Sequence, residues 1–265
     1  MDQIEVGGLR IAYERAGTGP PLFLLHGFVG DGRSTWHRQI EALSDEFTVV
    51  AWDGPGAGRS ADPPASFRMP DYADCLAGFM ATLGLGRSHV AGLSFGAALA
   101  LELYRRHPKL STTLILASAY AGWAGSLPPD VAEQRLEQSL RSSELSPTQF
   151  VATMLPTMFS KSASKAQIAE FVAAVSEFHP AGFRAMAQAS AQADLRDVLP
   201  QIEVPTLLLY GDEDVRAPLI VAGALHASIP GSRLVVMNGV GHVSSVEAPD
   251  RFNREVRFFL DESER

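Results

Sequence analysis

The sequence predicts an α/β protein: a mostly parallel, doubly covered sheet carrying an inserted helical cap. Three observations lead there. Short runs rich in Val, Leu and Ile alternate with stretches of helical periodicity near both ends of the chain. The strand signal disappears between about residues 122 and 194 and then resumes in step. The 265 residues suit one large domain with an insertion.

From the N-terminus, residues 4–6 and 9–13 flank Gly7-Gly8 and read as a hairpin. Leu22-Phe23-Leu24-Leu25 is a buried-strand run ending at His26-Gly27. Trp36, Ile40 and Leu43 repeat at helical spacing, and 47–52 forms the next strand, closing at Asp53-Gly54-Pro55-Gly56. Residues 72–83 read as helix, 88–93 as strand, 95–107 as helix stopped by Pro108, and 112–119 as strand. The plan resumes with strand 206–210, helix 219–227, strand 233–237 and helix 250–260. In such sheets chemistry sits beyond the carboxyl ends of the strands.

Between these halves, prolines at 128, 129, 147, 156 and 180 divide several helices. This stretch is too long for an ordinary connection. The expected organisation is a core of residues 1–121 and 195–265 with a cap of 122–194. Its apolar residues include Met154, Met158, Phe159, Phe171, Phe178, Phe183 and Met186. Most would pack the cap, while some must face the cleft beneath; Trp123, Met154, Met158 and Phe159 are the candidate pocket residues. The cap's apolar surface also suits a homodimer.

With 22 basic and 30 acidic side chains the net charge is −8, which argues against nucleic acid or an anionic membrane surface as partner. Hydrophobic residues at 46% and charged ones at 20% exclude disorder. The lone Cys75 allows neither an internal disulfide nor a cysteine-built zinc site, and reads as a small buried apolar residue. No stretch approaches the roughly 18 apolar residues of a membrane span. Residues 1–17 carry charges and no apolar core, so they do not read as a signal peptide. A cytoplasmic location is expected.

Gly92-Leu93-Ser94-Phe95-Gly96 lies where a strand meets a helix, the context of a nucleophile elbow. The glycines follow from the tightness of that turn, which presents the Ser94 hydroxyl beside a helix N-terminus that favours negative charge. A serine needs a base. Of seven histidines, His242 follows the last core strand and shares the Ser94 end of the sheet. His26 begins a loop it would brace, His89 is at the wrong strand end, His179 lies in the cap, and His37, His107 and His226 fall on helices. The base needs a carboxylate. Asp212, Glu213 and Asp214 all follow strand 206–210, and Asp214, the deepest before Pro218, is preferred in the order serine, acid, histidine. Leu116-Ala117-Ser118-Ala119, at the end of the preceding strand, offers no carboxylate. Backbone N–H groups of Phe28 and Phe95 are the expected oxyanion hole, each donor worth about 3–4 kcal/mol in the transition state.

His26-Gly27-Phe28, Asp53 through Ser60, the Ser94 pentapeptide, Gly211 through Pro218, and Gly241-His242 with Glu247 and Pro249 together resemble the α/β-hydrolase superfamily over essentially the whole chain. Asp53 and its glycines then resemble a structural turn without a catalytic role. Haloalkane dehalogenases and epoxide hydrolases are similar but carry Asp where Ser94 stands. Residues 180–205 resemble the 3-oxoadipate enol-lactonase and small-esterase group. A dicarboxylate-like lactone would need a cationic anchor, for which Arg135, Arg141, Lys161, Lys165 and Arg184 are candidates, though each reads more simply as a solvated helix charge.

The expected function is a serine hydrolase, with neither cofactor nor metal, that cleaves a small-molecule ester or lactone through an acyl-enzyme on Ser94. The alternative is a carbon–carbon bond hydrolase of aromatic ring-cleavage products, which resembles this chain but favours a polar residue where Leu93 stands. A non-catalytic ligand-binding protein would use the same fold. Peroxide in place of water would give a perhydrolase side activity.

Overall fold

Buried runs of Val, Leu and Ile build the centre of the molecule. The computed structural model describes residues 1–175 and 179–263. Among these, β1 (Asp2–Val6), β2 (Leu9–Ala16), β3 (Pro21–Leu25), β4 (Thr48–Trp52), β5 (Ser88–Leu93), β6 (Ser111–Ala117), β7 (Thr206–Gly211) and β8 (Arg233–Met237) form one sheet in the order β1-β2-β4-β3-β5-β6-β7-β8. β1 and β2 make an antiparallel hairpin with Val6 opposite Leu9, and Gly7 and Gly8 turn it at positive φ of 56° and 82°. β2 runs antiparallel to β4, and every later pairing is parallel. All residues of β4, β5 and β7 are buried. Successive side chains in a strand point to opposite faces, so burial throughout means that both faces are covered.

The helices are α1 (Gly32–Leu43), α2 (Met69–Leu83), α3 (Phe95–Arg106), α4 (Trp123–Ser126), α5 (Pro129–Ser142), α6 (Pro147–Met154), α7 (Lys165–Val175), α8 (Pro180–Gln192), α9 (Leu219–Ser228), α10 (Ser244–Glu247) and α11 (Pro249–Ser263). α1 packs with α10 and α11, where Gln39 Nε2 donates to Asn253 Oδ1 (3.0 Å), and α2 packs with α3. The helix expected from residue 72 starts earlier because Pro70 sits in its first turn and Asp71 accepts the Arg68 N–H (2.8 Å). Among the described residues no helix is long and apolar enough to cross a membrane.

β3 has β4 on one side and β5 on the other, so the chain reverses its direction of winding between β3 and β5. A crevice opens at such a reversal, beyond the carboxyl ends of the strands. Here those ends carry His26-Gly27-Phe28 and Ser94.

The chain leaves the sheet at Ala117, the end of β6, and rejoins it at Thr206, the start of β7; inside this stretch the Leu195 N–H donates to the Ala121 carbonyl (2.9 Å). Between these points lie α4 to α8. Phe178, one of the apolar residues noted in this stretch, is outside the described residues. α8 meets the core backbone to backbone: a Cβ on Gly182 would lie 2.0 Å from the Gly56 carbonyl oxygen. Phe183 on the same helix stacks on Phe28 with ring centres 4.9 Å apart.

Two glycines within helices give opposite expectations for one substitution. Gly182→Ala drives a methyl into the Gly56 backbone and should lower the unfolding free energy by about 1–3 kcal/mol in urea titrations. Gly223→Ala, exposed on α9 with open space around it, should raise it by about 0.5–1 kcal/mol. A second expectation concerns His89, buried on β5 with Nδ1 2.9 Å from Thr113 Oγ1. Burial lowers its pKa from the ordinary 6.5 to about 4. Between those values the unfolded chain binds a proton that the folded chain refuses, so stability falls as pH drops from 6.5 toward 4. His89→Gln should make that fall shallower in melting curves recorded across the same range.

Candidate active site

Between β5 and α3, Ser94 caps the helix with φ 54° and ψ −107°. A non-glycine residue pays about 1–3 kcal/mol for such a backbone conformation, and only the surroundings can hold it. Its N–H donates to the Ala117 carbonyl (2.9 Å), while its own carbonyl accepts from Ala97 and Ala98 (3.0 and 3.1 Å). A Cβ on Gly92 would lie 2.2 Å from the Gly96 oxygen, and one on Gly96 would lie 2.1 Å from the Leu25 oxygen. No side chain fits at either position. Ser94 is thereby lifted to the end of the sheet, at the start of α3.

His242 follows β8 and is buried, with Nδ1 2.9 Å from Asp214 Oδ2 and 3.0 Å from Oδ1. Of the three acids after β7, only Asp214 turns its carboxylate to this ring. Asp212 accepts the Gly239 N–H (2.6 Å) and Glu213 the Lys161 N–H (3.1 Å). Asp214 Oδ1 also accepts the N–H groups of Arg216 and Ala217, each at 2.9 Å. Burial pushes its carboxyl upward, but the charge and hydrogen bond of His242, the Ala217 N–H and the Ser118 hydroxyl outweigh that and hold it below the ordinary carboxylate value. An ionised Asp214 accepts from Nδ1–H, which leaves the lone pair of His242 on Nε2.

Ser94 and His242 line one narrow cavity with Phe28, Leu93, Met158, Phe171, Val243 and Val246. Its volume, about 10 Å³, holds about one water. Phe28 is positioned by the His26 loop: His26 Nε2 accepts the Gly54 N–H (2.9 Å) and Nδ1 donates to the Gly27 carbonyl (2.5 Å). Asp53 holds the neighbouring turn, taking the Gly32 and Arg59 N–H groups at 3.0 Å each. Burial raises its carboxyl, with the charge of Asp31 adding to the effect. It contacts neither Ser94 nor His242 and serves the turn.

The helical stretch reaches the histidine loop directly. The Met158 carbonyl accepts from the N–H groups of His242 (2.9 Å) and Val243 (3.2 Å). Glu247 accepts the Gly241 N–H (3.0 Å), the Ser160 N–H (3.1 Å) and the Ser160 hydroxyl. Turning the Met158 side chain into the cavity sends its neighbour Phe159 away, edge-on to Phe171 at 5.3 Å. Phe159, expected in the pocket, therefore stands behind its wall. Met154 lines a separate cleft between α5, α6 and the loop after β7, and Trp123 reaches the site only through an edge contact with Phe28 (6.0 Å).

Two further positions depart from expectation. Arg135 is no solvated helix charge: its guanidinium lies 5.4 Å from the Tyr120 ring and 5.5 Å from that of Trp123. Arg141 does match that description, pairing with Glu137 on the exposed face of α5. Ser118, noted only for lacking a carboxylate, has φ 47° and donates its hydroxyl to the His242 carbonyl (3.0 Å). Its position at a strand end, next to the one carrying Asp214, was the available signal. Among the described residues no cluster of three or more His, Cys, Asp or Glu side chains is arranged to hold a metal ion.

A sequence model of the alpha/beta hydrolase fold matches residues 20–249. A thermophilic esterase from Thermogutta terrifontis, solved with malate bound, superposes with a TM-score of 0.91 at 30% identity, covering 99% of each chain. The enol-lactonase from Burkholderia xenovorans LB400 gives 0.89 at 25% identity, over 98% of this chain and 100% of its own. The putative carbamate hydrolase RutD of Klebsiella pneumoniae subsp. pneumoniae is 29% identical over 254 residues, 90% of this chain and 91% of that protein. Sheet order, the turn at Ser94 and the matched length agree, and the chain belongs to the α/β-hydrolase fold family.

Proposed function

We propose that this protein is a serine hydrolase that cleaves a small ester or lactone without a cofactor. The observation that carries the reading is the buried His242–Asp214 pair opening into the same cavity as a serine held in a strained strand-to-helix turn. His242 Nε2 takes the Ser94 proton as the hydroxyl attacks the carbonyl carbon. The N–H groups of Phe28 and Phe95 receive the oxyanion. His242 then gives its proton to the leaving oxygen, and water, deprotonated by the same ring, releases the acyl group from Ser94. With a lactone the leaving oxygen stays tethered, and one hydroxy or oxo acid results.

Residues 122–194 act in this reading as a cap over the crevice. The cavity is smaller than any ester, so entry requires its lining to move. Met158, with an unbranched and adaptable side chain, is the part that yields most cheaply. The likeness to an esterase and an enol-lactonase supports ester and lactone bonds, and the likeness to a putative carbamate hydrolase adds the carbamate as a substrate for the same attack.

Short p-nitrophenyl esters and small lactones, assayed with and without a chelator, test this. Ser94→Ala and His242→Ala should each lower kcat by about 10⁴–10⁶, and Asp214→Asn by about 10³–10⁴. Chelation should change nothing. Ser94→Ala retaining most of the wild-type rate would sink the mechanism. A folded protein silent on both series would point to carbon–carbon bond hydrolysis or to ligand binding without turnover.

A further inference from the structure

A serine or threonine inside a helix can return its hydroxyl to the carbonyl four residues back. Thr82 does so to Gly78 (2.8 Å), Ser142 to Gln138 (2.8 Å), Thr153 to Gln149 (2.9 Å) and Ser190 to Met186 (2.8 Å). Thr35, in the first turns of α1, does not. The carbonyl four residues back, on Asp31, already accepts the Thr35 N–H (3.2 Å) and the Ser34 hydroxyl (3.2 Å). Among the described residues the Thr35 hydroxyl has no hydrogen-bond partner in the chain, although the residue is only 3% exposed. Its oxygen lies toward the loop after β3, 3.7 Å from where a Cβ on Gly30 would sit.

A buried hydroxyl gives up its hydration, and without a partner it recovers nothing. The partner available to Thr35 is whatever occupies the cavity of Ser94 and His242, because Thr35 lines that cavity. Of the residues around it, only Thr35, Ser94 and His242 carry a polar side chain; the others are glycine or apolar. The space of about 10 Å³ lies between the Ser94 turn, the histidine loop and α1, which packs against α10 and α7. A water needs about that volume and two to four polar partners. An imidazole lone pair and a threonine hydroxyl, which both donates and accepts, are suitable ones.

We propose that Thr35 holds the water that releases the acyl group from Ser94. This rests on the serine hydrolase reading and assigns the orientation of its second half-reaction. Once Ser94 is acylated, the polar side chains left around the water are His242 and Thr35. One O–H of the water points to His242 Nε2 and the other to Thr35 Oγ1, which leaves an oxygen lone pair for the acyl carbon. As the new carbon–oxygen bond forms, the first proton passes to Nε2. It moves on to Ser94 Oγ when the acyl–Oγ bond breaks, and the second proton stays on the released acid. Thr35 gains and loses nothing; it holds the attacking geometry.

Two consequences separate this role from a structural one. In the first half-reaction the nucleophile is Ser94 itself, so Thr35 has no share in acylation. An alcohol has a single O–H, which His242 takes, so an attacking alcohol gains nothing from accepting oxygen on Thr35. Thr35 therefore favours water over alcohol as acyl acceptor.

The test turns over p-nitrophenyl acetate and butanoate in the presence of methanol and measures methyl ester against free acid. In Thr35→Val, which keeps the shape and loses the hydroxyl, attack by water should slow about tenfold to a hundredfold and the ester-to-acid ratio should rise accordingly. Release of p-nitrophenol in the first turnover, which reports acylation, should stay within about twofold of wild type. Thr35→Ser should restore the wild-type ratio, and Thr82→Val, exposed on α2, should leave it unchanged. Thr35→Ala replaces the valine variant if that one fails to fold. A wild-type ratio in the variant without the hydroxyl, or acylation slowed as much as deacylation, overturns the role of Thr35 and leaves the hydrolase reading standing. Wild-type protein that turns over neither ester, or turnover that survives Ser94→Ala, removes the acyl-enzyme and overturns both.

Discussion

Ser94 occupies a backbone conformation that no local preference of its sequence would select, and the fold is organised around keeping it there. Its N–H is tied to the end of β6, its carbonyl starts α3, and the strand it leaves lies against β3 closely enough that Gly96 touches the Leu25 carbonyl. Three segments must therefore sit at backbone contact distance. Parallel strands β3, β5 and β6 bring them together, and Phe28, Ser118, Asp214 and His242 follow the carboxyl ends of β3, β6, β7 and β8. The strain is small beside the burial of the sheet, but it fixes where the hydroxyl points.

Attachment of the helical stretch to the histidine loop is a second consequence of close backbone approach. Gly241 faces the backbone of Phe159 and Ser160, Gly182 faces Gly56, and Gly122 faces Ala193. Between the first pair, Glu247 accepts N–H groups from both segments, and the Met158 carbonyl accepts from the loop. The proposed base is therefore held from two sides, by Asp214 beneath and by residues 158–160 above. In the proposed reading the Met158 side chain yields to an entering substrate, and it belongs to a residue whose main chain also restrains His242. In the proposed reading, admission of substrate and alignment of the base are coupled mechanically.

Electrostatics around the crevice run against the charge of the whole chain. The molecule carries −8, yet among the described residues Arg135 and Arg216 have no carboxylate within ion-pair distance, and Asp214 beside them is committed to His242. Interactions between exposed charges are screened within about 10 Å at moderate salt, whereas a pair held away from water is screened far less.

The strands, the alternation with helices and the elbow at Ser94 were legible in the sequence because each obeys a local rule. Apolar runs of strand length must be covered, and a turn tighter than any side chain permits must be built from glycine. His242 and its end of the sheet followed from the same order of elements. Other features depended on contacts between segments far apart in the chain. That Asp214 rather than Asp212 or Glu213 meets the imidazole was favoured by its depth in the loop, but it is decided by where the loop is pinned, through Gly239, Lys161 and the backbone of 216–217. Phe159 faces away because Met158 faces in, a choice made by the hydrogen bonds of the Met158 carbonyl to residues 84 and 85 positions later. Arg135 leaves solvent because Tyr120 and Trp123 lie below it, and Arg216 gave no signal beyond its place after Asp214. Periodicity and turn chemistry thus determined the architecture and the turn at Ser94, since both act between near neighbours. The tertiary structure decided the partners, since a side chain's direction across a crevice depends on every segment that crowds it.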